Sequence, residues 1–185
     1  MKKLAFFLTI FCGLVSGTAF AQEGVGPKTA TATLNVKLLP IQTIVIGGDN
    51  TVNLVYKTKE DYYNGVTANM NDHLIVYSTG GFAVKVKSDH KNLVFTKDGK
   101  TNTIAVNTIN LVATLGKGNE SESTFSAVTL DKSDKNLISS TVGGTNLKFN
   151  VAYSGKGGNA YVNKYNNVEN PTVYTTTVTY TIEAQ

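Results

Sequence analysis

The sequence predicts an all-β protein, a β-sandwich formed as a single domain after an N-terminal export signal, and three observations predict it. Period-two alternation of apolar and polar residues runs through most of the chain, and no window of a dozen residues holds an uninterrupted helical i, i+3, i+4, i+7 pattern. Thr, Val, Tyr and Ile fill the alternating stretches, as half-buried strands prefer. Gly, Asn and Asp punctuate them at the short spacing of a sandwich.

The start has the three parts of an export signal: Lys2 and Lys3, an apolar run over residues 4–15, and the small-residue ending Ala19-Phe20-Ala21. Cleavage is expected after Ala21, which makes 1–21 the signal peptide, 22–28 a loose leader and 29–185 the sandwich domain. The apolar run is shorter than the roughly 20 residues needed to cross a bilayer as a helix, so no transmembrane segment is expected in the mature chain. Cys12 lies in this run, but the bulky Phe11 before it argues against lipoprotein processing.

The first strand alternates Ala30, Ala32, Leu34, Val36 and Leu38 with Thr31, Thr33, Asn35 and Lys37. Pro40 breaks or bends it, because proline cannot donate to a ladder, and 41–46 resumes it. Further strands are expected near 52–57, 74–78, 82–87, 104–114, 125–130, 137–140 and 147–154. Ser78-Thr79-Gly80-Gly81-Phe82 reads as a hairpin, with its glycines supplying positive φ. Gly47-Gly48-Asp49-Asn50 and Gly143-Gly144-Thr145-Asn146 read as turns. The stretches 58–72, 116–123 and 155–171 read as longer polar loops carrying most of the surface specificity. In the last strand Tyr174, Thr176, Val178, Tyr180, Ile182 and Ala184 face one way, and threonines and Glu183 the other.

Charge and composition exclude several function classes. With Lys2 and Lys3 of the 17 basic residues removed, 15 lysines face 13 acidic residues, and there is no arginine to read phosphate or guanine with its fork. A nucleic-acid partner is therefore not expected. The one cysteine lies in the signal, so the mature chain has no disulfide, thiolate metal site or cysteine nucleophile.

No constellation of catalytic residues stands out, so no enzyme, metal or cofactor is expected. His73 and His90 have no second ligand at metal spacing, and both read as exposed. Asp72-His73 with Ser78, and Asp89-His90 with Ser88, lack a nucleophile elbow, and neighbours on one strand point to opposite faces. Leu115-Gly116-Lys117-Gly118 and Ser154-Gly155-Lys156-Gly157-Gly158 lack the Gly-x-x-x-x-Gly-Lys-Ser/Thr form of a phosphate loop and read as turns. Lys59-Glu60-Asp61 and Asn166-Asn167-Val168-Glu169-Asn170 lack the alternating spacing of a calcium loop. Lys85 and Lys87, with Lys57 or Lys148, would form a basic stripe for anionic groups, or simply a solvated face. Tyr62, Tyr63, Tyr161 and Tyr165 fall in predicted loops among Asn, Asp and Lys, a chemistry suited to stacking on sugar rings.

The opening Ala-Thr-Ala-Thr-Leu-Asn-Val after the signal, the all-β body and the closing strand over 174–182 resemble secreted pilin-type immunoglobulin-like sandwiches. The resemblance is to the spore-coat-protein-U-like branch of chaperone–usher fimbrial subunits, and it covers the two chain ends. It implies an immunoglobulin-like, Greek-key sandwich and a non-enzymatic structural or adhesive subunit located in the periplasm, at the cell surface or outside. Its partners would be copies of itself or related subunits, and a periplasmic chaperone. Ala30, Ala32, Leu34, Val36 and Leu38 would then be the donor strand that completes a neighbour's sandwich. Val178, Tyr180 and Ile182 would be the C-terminal chaperone and assembly positions. The same alternation serves a self-contained sandwich, and the two cases differ only in whose groove the first strand fills. The alternative function is a carbohydrate-binding module for surface glycans, which requires Tyr62, Tyr63, Tyr161 and Tyr165 to converge on one exposed patch.

Overall fold

The computed structural model describes residues 29–167 and 169–185; the signal peptide and leader expected over 1–28 lie outside the described residues. About 48% of the described residues are strand and 6% helix, and the sheets are antiparallel, so the all-β expectation holds. In chain order the elements are β1 (Gln42–Ile46), α1 (Lys59–Asn64), β2 (Val66–Ser78), β3 (Phe82–Ser88), β4 (Asn92–Lys97) and β5 (Lys100–Ala105). A single 3-10 turn, Val106–Thr108, leads to β6 (Ile109–Leu115), β7 (Ser123–Phe125), β8 (Val128–Thr129), β9 (Lys135–Ser140), β10 (Gly144–Gly155) and β11 (Val178–Ala184). Leu38–Gln185 forms one compact unit, and residues 29–37 belong to a separate one.

Two sheets share one core. The first has the order β1-β2-β10-β6-β8 and the second β11-β3-β9-β7, while β4 and β5 pair as a separate ribbon. A sheet that is apolar on one face must cover that face with another element. Here Leu74, Val76, Leu111, Phe149 and Val151 of the first sheet meet Phe82, Val84, Val86, Leu137 and Ile138 of the second, all of them wholly buried. Phe82 and Phe125 both stand edge-on to Phe149, with centroids 6.3 and 6.2 Å away, the tilted arrangement that aromatic quadrupoles favour.

Several elements differ from expectation for identifiable reasons. Residues 78–82 do not form a hairpin, because β2 and β3 lie in different sheets. At Ser78 both edges of β2 are taken, by Gln42 of β1 and Gly144 of β10, so the chain has to cross to the other layer. Neither Gly80 nor Gly81 is among the glycines with positive φ. The expected loop 58–72 is instead α1 and the first half of β2. Thr58 caps the helix by accepting from the Asp61 amide, and the Asp61 carboxylate accepts from the Thr58 amide, a reciprocal capping box.

The strand expected over 104–114 is broken at 106–108, and its first part belongs to the β4–β5 ribbon. The turn of that ribbon is Asp98-Gly99, with φ of 49° and 72° at the two residues, as a two-residue hairpin turn requires. Residues 52–57 lie in no ladder among the described residues, although Val52, Leu54 and Tyr56 are half-buried in alternation, the first two against the core. Only 178–184 of the expected last strand joins the sheet; upstream, Thr175 bridges to Val94 of the ribbon.

The core makes a direct prediction. Phe149→Ala removes a wholly buried ring that touches two other aromatics and should lower unfolding free energy by about 3–5 kcal/mol, read as a shift of the urea unfolding midpoint.

Candidate functional site

Three places in the structure carry chemistry beyond packing. The first is an open sheet edge. β11 ends the second sheet, paired to β3 on one side and to no strand on the other among the described residues. Its inward row, Val178, Tyr180 and Ile182, packs on the core but is only half-buried, whereas Val84 and Val86 on the neighbouring strand are fully covered. β1, the end strand of the first sheet, lies against β11. It pairs with β2 only from Leu74 to Ser78, so residues 66–70 of β2 pair with β10 alone. Ile44, Met70, Val52 and Leu54 are likewise half-buried.

The segment expected as the first strand joins no ladder among the described residues. Its residues 29–38, including Ala30, Ala32, Leu34, Val36 and Leu38, are all exposed, Leu34 to 89%. Among the described residues its backbone groups have no ladder partner, and its alternation serves no buried face of its own.

The second place is a cleft of about 720 Å³ inside the compact unit, into which Tyr62, Tyr63, Tyr161 and Tyr165 all converge. α1 supplies the first pair and the stretch after β10 the second. Main-chain bonds strap the two together: the Gly158 amide donates to Tyr63 O at 2.6 Å and the Asn159 amide to Tyr62 O at 2.8 Å. This close approach requires glycine, because a Cβ on Gly157 would stand 2.5 Å from Tyr63 O. The tyrosines divide into two kinds. Tyr161 is buried, donating to Thr108 Oγ1 at 2.7 Å, and Tyr63 and Tyr165 are 68% and 52% exposed. Tyr56, which the sequence reading did not single out, packs between Tyr62 and Tyr161 with centroids 5.4 and 5.0 Å away. Burial raises its hydroxyl pKa above the ordinary value, and the hydroxyl donates to Lys156 O at 3.0 Å.

The third place is a buried polar chain across the seam of the two sheets. His73 of β2, expected at an exposed strand start, is only 2% exposed. Its Nε2 lies 3.0 Å from the hydroxyl of Tyr153 on β10, which in turn hydrogen-bonds the hydroxyl of Tyr180 on β11. Burial pushes the Tyr153 hydroxyl up to about 12 and raises Tyr180 as well. Burial also lowers the His73 imidazole below its ordinary 6.5, with the Asp49 carboxylate opposing.

The remaining candidates resolve into structural contacts. Ser78 Oγ donates to Gly80 O rather than meeting His73. The Asp72 carboxylate accepts from the Lys117 amide at 2.8 Å and pairs with Lys148 at 3.4 Å, and the Lys117 bond holds it below the usual carboxylate range. The basic stripe is neutralised: Lys85 pairs with Glu183 at 2.5 Å and Lys87 with Asp134 at 3.6 Å. Among the described residues, no three His, Cys, Asp or Glu side chains are grouped to hold a metal ion, and no helix is long and apolar enough to cross a membrane. No protein-family model and no curated protein matches this chain.

The buried histidine predicts a pH dependence. Its folded pKa is depressed, so its contribution is complete above the ordinary 6.5 and declines as pH falls through that value. The reason is that the unfolded chain takes up the proton first. Urea midpoints should drop between pH 6.5 and the carboxylate range near about 4, and His73→Gln should flatten that drop.

Proposed function

We propose that this chain is a non-enzymatic, exported structural subunit of a surface or fimbria-like assembly, an immunoglobulin-like Greek-key sandwich whose copies join by strand complementation. The observation that carries this reading is the pairing of surplus with deficit. Residues 29–38 form an alternating and wholly exposed segment, and β11 has a strand edge without a partner among the described residues, its inward residues incompletely covered.

In the assembly, the segment of one copy lies along the free edge of β11 in another and extends the second sheet by one strand. Its backbone forms a new ladder, and alternate side chains enter the half-covered core. Burying Leu34, Val36 and Leu38 contributes about 1.5–3 kcal/mol for each side chain. Before assembly, the same edge is the surface a periplasmic chaperone shields, with Val178, Tyr180 and Ile182 as its contacts. The export signal read over 1–21 and the resemblance of both chain ends to fimbrial subunits support the same compartment and role.

The test is the mass in solution of residues 22–185 beside a variant that starts at Leu39. The full form is expected to give heat-labile, detergent-resistant ladders. The truncated form is expected to be a monomer of lower stability, raised again by a peptide spanning residues 29–38. Leu34→Asp with Val36→Asp should abolish the ladders while leaving the compact unit folded. A full-length form that remains a cooperative monomer at all concentrations overturns the reading.

A further inference from the structure

The tyrosine cleft belongs wholly to the compact unit and plays no part in strand complementation. We propose that it is a binding site for neutral pyranose oligosaccharides, with the exposed rings of Tyr63 and Tyr165 as its stacking surfaces. Its volume of about 720 Å³ falls in the range of small-molecule sites, roughly 300–1,000 Å³. It is open to solvent.

The lining has the two chemistries a pyranose needs. One face of a sugar ring carries C–H groups that pack on an aromatic face, and its rim carries hydroxyls that pair with planar amides. Tyr63 and Tyr165 supply exposed aromatic faces. Asn64, Asn159 and Asn163 line the same cleft, and each side-chain amide offers donors and an acceptor on one plane. None of the three amides is engaged in a hydrogen bond with the described chain. The charged residues of the lining are Lys57, Lys59 and Glu60, a surplus of only one positive charge, so aromatic faces and neutral amides make up most of its chemistry and a sulfated sugar tests the share of charge.

The site is also held in shape before any ligand arrives. Tyr56 packs against both Tyr62 and Tyr161, two of the residues that line the cleft. The Lys164 amide donates to Tyr161 O at 3.1 Å, the Lys164 ammonium to Thr103 O at 2.9 Å, and the Tyr174 hydroxyl to Lys164 O at 2.7 Å. Asn159 and Asn163 sit at φ of 60° and 69°, a conformation asparagine tolerates better than most residues. A loop already ordered loses little freedom on binding, which leaves more of the contact energy as affinity.

The experiment uses residues 22–185, folded as judged by circular dichroism, titrated calorimetrically with cellotriose, maltotriose, chitotriose and a sulfated trisaccharide. The chain has no tryptophan, so quenching of tyrosine emission gives a second readout. At least one neutral trisaccharide is expected to bind. Tyr63→Ala and Tyr165→Ala should each weaken it by about tenfold, corresponding to about 1.4 kcal/mol, with unchanged thermal unfolding. Tyr77→Ala, an exposed tyrosine on β2 away from the cleft, should leave binding unchanged. Failure of all three neutral sugars overturns the proposal, as does binding that survives the Tyr63→Ala, Tyr165→Ala double variant. Binding of the sulfated sugar alone, lost at high salt, replaces it with a charge-driven site. None of these outcomes depends on whether copies assemble.

Discussion

The inward rows of β3 and β10 keep each other out of water, and the rest of the structure depends on that contact. Each strand is central in its sheet, flanked on both sides, so neither has an edge to protect and each turns its apolar row toward the other layer. Phe82, Val84 and Val86 on one side and Phe149 and Val151 on the other are fully buried. The crossing at Ser78 follows from the same arrangement. Once β1 and β10 have taken both edges of β2, a continuing chain can bury its next apolar row only by facing the first sheet from the opposite layer.

Coverage falls away toward the margins. The strand pairs that make the centre complete leave β11 with one neighbour and β1 with five paired residues. Soluble proteins usually blunt such edges with charge, proline or a covering loop. The outward row of β11 does carry Thr179, Thr181 and Glu183, the last paired to Lys85, but its inward row remains apolar and half-buried. Charge thus guards the face of the strand, not its edge. An edge left apolar on its inner side is better suited to receiving another strand than to standing alone in water, and that asymmetry is the physical basis of the assembly proposed above.

The central strands 82–87 and 147–154 were legible in the sequence as alternation, and 137–140 as an apolar pair, Leu137-Ile138, between polar residues. The first half of β2 was less so. Val66, Ala68 and Met70 do alternate, but with Asn69 among them and Asn71 and Asp72 following, they resemble a loop, since asparagine and aspartate are depleted in strands. α1 has six residues, too few to show a helical period, and only its capping box could have announced it. The Asp98-Gly99 turn is a hairpin signal readable in the sequence. The strand change at Ser78 was not readable, because it depends on which edges are occupied by residues far along the chain. The same holds at the cleft: the loop tyrosines were identifiable as a group, but Tyr62 and Tyr161 meet only through the close approach of Gly157 to α1. His73 read as exposed because alternation from Leu74 and Val76 places it on the outer face, whereas the register of β2 against β10 shifts between Met70 and Leu74, with Asp72 at φ 49°, and both His73 and Leu74 are buried.

The polar chain of His73, Tyr153 and Tyr180 gives the edge strand something that apolar burial does not. A row of Val, Tyr and Ile against an apolar layer tolerates sliding, and a slip of one residue exchanges the two faces of a strand. For β11 such a slip would turn Thr179 and Thr181 into the core and carry the Tyr180 hydroxyl away from Tyr153. The hydroxyl contact between β10 and β11 is made in one register only. Buried hydrogen bonds contribute modestly when made, about 0.5–1.5 kcal/mol net, but leaving a buried partner unpaired costs about 1–3 kcal/mol. The chain therefore penalises misplacement of β11 more than it stabilises correct placement. A strand held to a single register from its inner side can present an invariant outer edge, which is what any incoming strand must read.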